Sequence, residues 1–137
     1  MSTEPIAWRP LGLQLAPAVL AETLDGGQTF RWSRTAEGGW RGIWSHHAVH
    51  LRQCAAGPLE ITALTRDPSA TQAALHAYLA LGHDFVALAD SLPWRSDAHL
   101  AACLAAFPGL RIPRQPFGET LLCFLCSATK QIVQIKE

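Results

Sequence analysis

The chain has 137 residues, which is enough for one domain with one sizeable hydrophobic core. Its 11 basic and 11 acidic residues balance to a net charge of zero, which argues against a stand-alone nucleic-acid binder that relies on a broad basic surface. Because 49% of the residues are apolar and five are tryptophan, the chain is globular rather than disordered.

The N-terminal sequence and the cysteines indicate the cellular compartment of the protein. The start, MSTEPIAWRP, lacks the basic residues and apolar run of a signal peptide, and no apolar run approaches the length that spans a bilayer. The four cysteines, which lie in an Ala- and Leu-rich sequence, are Cys54, Cys103, Cys123 and Cys126. We expect a soluble protein of a reducing compartment with free thiols.

The first half of the chain is predicted to be rich in β-strands. Residues 11–15 alternate apolar and polar side chains, and residues 16–24 predict a short helix with Pro17 in its first turn, ended by Gly26 and Gly27. Short strands are predicted at 28–34, 40–45, 47–53 and 59–65. Short strands separated by polar, glycine-containing turns are typical of an antiparallel, meander-like sheet.

The second half of the chain is predicted to be helical. Helices are expected at 67–81, 84–92, 96–107 and 116–129. The first has Asp67 as its N-cap and ends at Gly82, and the third is capped by Ser96 or Asp97. Residues 110–116 form an extended connector. The helix over 116–129 is apolar for most of its length, so we expect it to be buried, and 130–137 begin a further amphipathic helix.

The stretch GGQTFRW, residues 26–32, places two glycines directly before an alternating run. Glycine adopts backbone conformations that other residues resist, and it lets another molecule approach the main chain closely. From the local sequence alone, Gly26 and Gly27 either form a plain turn between helix and strand or expose backbone for recognition.

Several stretches together resemble one known family. GGQTFRW is similar to the glycine–glutamine–polar–phenylalanine–arginine–tryptophan signature of the 8-oxoguanine DNA glycosylases. PFGETLLCFLCSATKQIVQIKE, residues 116–137, is similar to the segment that opens the helical DNA-binding domain of that family. Between them, WRGIW and DAHLAACLAAFPGLRIPRQPFGETL agree in order and spacing, so the resemblance covers essentially the whole chain.

The resemblance implies an α+β fold. It implies a twisted antiparallel β-sheet with flanking helices, TBP-like, over residues 1–114, and the incomplete beginning of an all-α helix-hairpin-helix domain over residues 115–137. The implied protein is a monomer of the bacterial cytoplasm or nucleoid, without a cofactor, a metal or a membrane partner. Its implied partner is damaged double-stranded DNA that carries 8-oxoguanine opposite cytosine.

The resemblance also assigns a role to Gly27. An enzyme that removes oxidised guanine extrudes the base from the duplex and reads it in a pocket. N7 carries a hydrogen in the lesion and a lone pair in guanine, so a nearby backbone carbonyl attracts the first and repels the second. In the family this carbonyl belongs to the glycine before the glutamine, which is Gly27 here; Gln28 and Phe30 are the further substrate-binding candidates. Phe30 and Trp32 would be core or pocket-wall residues of the sheet.

The resemblance places the DNA contacts in the SATKQ segment and beyond. The corresponding segment of the family fills the gap left by the flipped base and reads the orphaned cytosine. Thr129, Lys130 and Gln131 stand where the family has asparagines, and Gln134 stands where it has an arginine. Gln131 or Gln134 can hydrogen-bond a base edge, and Lys130 can contact a phosphate.

No catalytic residue is assigned. The family uses a lysine nucleophile, which forms a Schiff base with the sugar, and a nearby aspartate, and no residue of this sequence matches either position. We expect the N-terminal fragment, or a truncated reading frame, of a DNA glycosylase with AP lyase activity, inactive alone. The alternative is a non-enzymatic DNA- or protein-binding module or a relic, and a thiol-based redox protein is the weakest hypothesis.

Two residue clusters have simpler explanations than chemistry. His46, His47 and His50 lie around a hairpin, but His46 and His47 should point to opposite sides of a strand, so we interpret them as solvated residues. Cys123 and Cys126 share a helix face among apolar neighbours, so we interpret them as buried structural thiols.

Overall fold

The computed structural model describes residues 7–53, 57–128 and 134. Five antiparallel strands form one sheet in the order β1-β5-β4-β3-β2. The strands are β1 Arg9–Pro10, β2 Trp32–Arg34, β3 Trp40–Trp44, β4 His47–Gln53 and β5 Leu59–Ala63. The helices are α1 Pro17–Asp25, α2 Pro68–Tyr78, α3 Phe85–Asp90, α4 Ala98–Ala106 and α5 Phe117–Ser127. The predicted α+β class, an antiparallel sheet with flanking helices, is confirmed.

One hydrophobic core joins the sheet to the first two helices. In the β3–β4 hairpin Trp40 lies opposite Leu51 and Gly42 opposite Val49, and these alternate positions are buried. The core also takes Leu24 from α1 and Leu75 from α2, each 0% exposed. The strand alternation therefore directs one face of the sheet towards α1 and α2.

The strand predicted over 28–34 is shorter in the structure and begins at Trp32. Gly27 has a positive φ of 90°, and the Thr29 hydroxyl donates to the Leu24 carbonyl, so the chain is still turning out of α1 at these residues. Residues 11–15 are not a strand, yet the Leu11 amide donates to the Leu59 carbonyl at 2.8 Å. The prediction missed β1, because a strand of two residues is too short to show an alternation of apolar and polar side chains.

The helices predicted up to residue 129 are present with shifted ends. The helix predicted over 130–137 lies outside the described residues, apart from Gln134. Asp67 caps α2 by accepting from the Ala70 amide at 2.9 Å, and Asp97 rather than Ser96 caps α4. Helix α2 ends at Tyr78, before the predicted Gly82, and Ala80 just beyond it has a left-handed φ of 51°. In the part of the chain that the structure describes, no helix is long and apolar enough to cross a membrane.

The expectation that the helix after the connector is buried is wrong. Helix α5 has no buried residue, and Phe117 and Leu122 are 81% and 64% exposed. The expectation of buried thiols on it is also wrong, because Cys126 is exposed and Cys123 is half-buried. An apolar sequence shows that a helix can be buried, but it does not show what covers it.

The histidines at the β3–β4 turn differ from their predicted arrangement. His46 lies in the turn rather than in a strand, so its ring and that of His47 do not diverge, and their centroids are 4.1 Å apart. His47 Nδ1 lies 3.0 Å from the Thr71 hydroxyl. Burial and the neighbouring His46 lower the pKa of His47. His46 is exposed, and His47 and His50 are half-buried.

Candidate functional site

The two glycines of the loop between α1 and β2 are needed for different reasons. The Gly26 amide donates to the Glu22 carbonyl at 3.0 Å and caps α1, and a Cβ at Gly26 would collide with the Glu22 main chain. Gly27 instead adopts a φ of 90°, a conformation that is strained for residues with a side chain. Gly26 is required because the Glu22 main chain lies close to it, and Gly27 is required because of its positive φ.

The connector, residues 110–116, holds the loop at Gln28. The Gln28 side-chain amide donates to the Arg111 carbonyl at 2.9 Å, and the Gln115 side-chain amide donates to the Gln28 carbonyl at 2.6 Å. We call this pair of hydrogen bonds the Gln28 clasp. It fixes both the side chain and the main chain of the residue that follows Gly27. Within the described residues, no donor is assigned to the Gly27 carbonyl.

Arg111 anchors the connector in the domain. Its side chain is only 9% exposed, and Nη1 donates to the carbonyls of Leu79 and Ala80 at 3.1 and 3.3 Å, just beyond the C-terminus of α2. A cation is favourable at that end of a helix, where the last carbonyls are unpaired. The Phe85 ring lies 4.4 Å from the guanidinium carbon.

The charge of Arg111 is held without a carboxylate. No ion pair to Arg111 and no partner for its Nε is found among residues 7–53, 57–128 and 134. Burial lowers the pKa of this guanidinium. A buried cation that depends on backbone carbonyls is sensitive to their position, so Arg111 ties the connector to the end of α2.

Phe30 connects the loop to α5. Phe30 is 4% exposed, and its ring meets that of Phe124 edge-on with centroids 5.0 Å apart. Beneath it, Trp32 Nε1 donates to the Tyr78 hydroxyl at 3.1 Å. The gap between this layer and α5 has a volume of about 10 Å³, roughly the space of one water molecule. In this structure Phe30 is therefore a packed wall residue.

The DNA-binding candidates are not brought together by the described structure. Thr129, Lys130 and Gln131 lie outside the described residues. Gln134 is helical and exposed.

Sequence reasoning missed Arg111 and Gln115, which hold the loop from the connector. Both are polar residues in LRIPRQP, a connector that has no helical or strand period. The sequence alone does not show that Arg111 is buried, so it offers no signal for this anchoring role.

Comparison with known proteins identifies the family of the chain. Residues 11–121 match the profile of the 8-oxoguanine DNA glycosylase N-terminal domain. The chain is 30% identical over 132 residues to the N-glycosylase/DNA lyase OGG1 of Arabidopsis thaliana, which covers 93% of this chain and 35% of that protein.

Solved structures show the same likeness. The apo-form of the Clostridium acetobutylicum 8-oxoguanine glycosylase/lyase matches with a TM-score of 0.73 at 27% identity, over 85% of this chain and 39% of that one. The same enzyme in complex with double-stranded DNA containing cytosine opposite 8-oxoG matches with a TM-score of 0.71, at the same identity and coverage. The chain thus spans only 35% to 39% of the length of these relatives. Since the family profile covers most of its residues, the chain belongs to the 8-oxoguanine DNA glycosylase family and carries the N-terminal domain of that family.

Proposed function

We propose that this chain is the lesion-reading N-terminal portion of a base-excision-repair DNA glycosylase and AP lyase that acts on 8-oxoguanine opposite cytosine in duplex DNA. The names of the Arabidopsis and Clostridium relatives support this activity for the whole protein. The domain boundary of this proposal lies between residues 114 and 115, where the helix-hairpin-helix domain begins.

The remaining roles of the proposal are divided along the chain. Thr129, Lys130, Gln131 and Gln134 contact the DNA. The lysine nucleophile and the aspartate have no counterpart that we can assign in residues 1–137, so this chain reads the lesion and does not cleave it.

The observation that carries the proposal is the Gly27 carbonyl beside the Gln28 clasp. In the proposed complex this oxygen accepts a hydrogen bond from N7–H of 8-oxoguanine. With guanine, the same oxygen faces the N7 lone pair, so one contact is exchanged for a repulsion. Discrimination of this kind requires a carbonyl that cannot turn away. The contacts from Arg111 and Gln115 to Gln28 restrict that movement.

Binding of the 137-residue chain to matched duplexes tests the proposal. The duplexes carry 8-oxoguanine or guanine opposite cytosine, and fluorescence anisotropy gives both dissociation constants. We expect tighter binding to the lesion duplex, and we expect Gly27→Ala to remove that preference. Gly38→Ala is the matched control, because Gly38 has a similar φ of 81° with no atom within 4 Å of the added methyl group, and it lies in the β2–β3 turn. An unchanged preference in Gly27→Ala would exclude the proposed role of this carbonyl.

Borohydride trapping on the lesion duplex tests the division of labour. We expect no covalent adduct, because the chain supplies no assigned nucleophile. An adduct would show that Lys130, Lys136 or the N-terminal amine attacks the sugar, and that the cleavage step does not require another part of the protein.

A further inference from the structure

A cleft next to the connector is not used by the proposed lesion contact. It has a volume of about 500 Å³ and lies between the N-terminal segment at Gly12, the end of α2 at His76, the loop at His83, and Arg114 of the connector. Gly27 and Gln28 do not line it. Arg114 is the only residue with a permanent full charge among the described residues that line the cleft, and none of them is a carboxylate.

Arg114 is held in place at the cleft. Its amide donates to the Tyr78 carbonyl at 2.7 Å, and its Nη2 donates to His83 Nε2 at 2.6 Å. Since arginine can only donate, His83 Nε2 is the acceptor, and the neutral His83 ring carries its proton on Nδ1. One of the five N–H donors of the guanidinium is therefore used on a neutral ring. No ion pair to Arg114 is found in the part of the chain that the structure describes.

The end of α2 would ordinarily repel an anion, because its last carbonyls carry partial negative charge. Here these carbonyls are already engaged. Those of His76 and Ala77 accept backbone amides, that of Tyr78 accepts the Arg114 amide, and those of Leu79 and Ala80 accept Arg111. Two guanidinium groups thus stand at this helix end, and that of Arg114 lines the cleft.

We propose that this cleft binds a phosphate group through Arg114, with the imidazoles of His76 and His83 as the flanking donors. A planar guanidinium fork matches phosphate oxygens, and imidazole can add a donor. The phosphate is either a phosphodiester of the DNA backbone or free phosphate. The first source rests on the proposed function, and the second does not.

The test uses the 137-residue chain and two probes, inorganic phosphate and a short unmodified DNA duplex. In NMR titrations with phosphate we expect shifts of the His76 and His83 ring signals and of the Gly12 and Gly82 amides. Arg114→Gln should abolish these shifts. Arg95→Gln is the matched control, because Arg95 is an exposed arginine paired with Asp90. Unchanged Gln28 and Tyr78 amide signals in Arg114→Gln report that the connector remains folded.

The duplex arm distinguishes the two sources. If the cleft holds a DNA phosphate, Arg114→Gln weakens binding several-fold and reduces the slope of log K against log salt by about one. Phosphate shifts without a slope change support the cleft with free phosphate as its ligand. If phosphate produces no Arg114-dependent shift and the slope is unchanged, the inference is wrong. If the preference for the lesion duplex persists in that case, the proposed function stands and only the cleft proposal fails. If the chain binds phosphate but no duplex, the cleft proposal stands and the proposed function fails.

Discussion

The sheet with α1 and α2 and the segment from α3 to α5 are both rich in apolar residues, but they bury their side chains very differently. In the first region Leu24, Val49 and Leu75 are each 0% exposed. In the second region none of the three helices has a buried residue. Contacts between the two regions include the Phe30–Phe124 ring pair, the hydrogen bond from the Ser45 amide to the Glu119 carboxylate, and the connector.

This contrast separates two sources of stability. The sheet region stabilises itself, because its strands and helices enclose a shared core. Helices α3 and α4 depend more on their caps: the Asp84 and Asp97 carboxylates each accept two backbone amides. Substitutions of core residues in the first region should therefore have large effects, and substitutions of exposed residues in the helices of the second region should have small ones.

The largest effect is expected for Trp32→Ala. Trp32 is 1% exposed, packs against Trp44 with ring centroids 6.1 Å apart, and donates to the Tyr78 hydroxyl. Its removal leaves a large cavity and should lower the free energy of unfolding by about 3–5 kcal/mol. Urea denaturation followed by circular dichroism measures this change.

Leu122→Ala provides the comparison in α5. Because Leu122 is 64% exposed, its truncation should change the free energy of unfolding by less than about 0.5 kcal/mol. If Leu122→Ala costs as much as Trp32→Ala, α5 is buried in solution and the contrast between the two regions fails.

The raised pKa of Tyr78 predicts that the sheet region loses stability at alkaline pH. Burial raises its pKa to about 12, the charge of Glu119 adds to this, and the Trp32 hydrogen bond opposes it. The folded protein then keeps a proton that the unfolded chain releases near pH 10, so stability is complete below pH 10 and is lost between pH 10 and 12. At pH 12 the free energy of unfolding is lower by about 2 kcal/mol than below pH 10.

The measurement is direct, because Tyr78 is the only tyrosine of the chain. Its phenolate absorbance should titrate near pH 12 in the folded protein, and Tyr78→Phe should flatten the decline in stability above pH 10. A phenolate that appears near pH 10 while the fold persists would mean that the side chain is open to water.

Arg111→Gln tests the anchor of the connector. The variant loses the two hydrogen bonds to Leu79 and Ala80, and charged hydrogen bonds of this kind contribute about 1.5–3 kcal/mol. We expect a loss of about 2 kcal/mol together with a shift of the Gln28 side-chain amide signals. Arg95→Gln, which removes an exposed pair with Asp90, should cost less than about 1 kcal/mol. Equal costs for the two variants would contradict the anchoring role.

Much of the fold was predictable from local chemistry. The proline and aspartate signals at Pro17 and Asp67 mark true helix starts, and the alternation over 47–53 matches β4 in full. The errors lie where tertiary contacts decide. The strand predicted over 28–34 begins only at Trp32, because the loop before it is hydrogen-bonded to the connector. The alternation of apolar and polar residues over 28–34 does not show this distant contact.

The candidate site divides in the same way. A double glycine followed by glutamine is visible in the sequence, and the positive φ of Gly27 agrees with the choice of glycine. The Gln28 clasp joins residues 83 and 87 positions apart, so no local pattern could show it. The roles of Arg111 and Gln115 can be recognised only in the folded protein, where the end of α2 holds the Arg111 side chain.

A small gain in stability is expected at Gly118 in the first turn of α5. A methyl group there meets no atom within 4 Å, and Ala is a better helix former than Gly, so Gly118→Ala should raise the free energy of unfolding by about 0.5 kcal/mol. Gly12→Ala is the matched control, since its methyl group is equally unobstructed but its φ is 73°. We expect Gly12→Ala to lower stability by about 1 kcal/mol. Thermal unfolding of both variants measures the difference, and a loss at Gly118 would show that α5 is held by contacts rather than by its own helical preference.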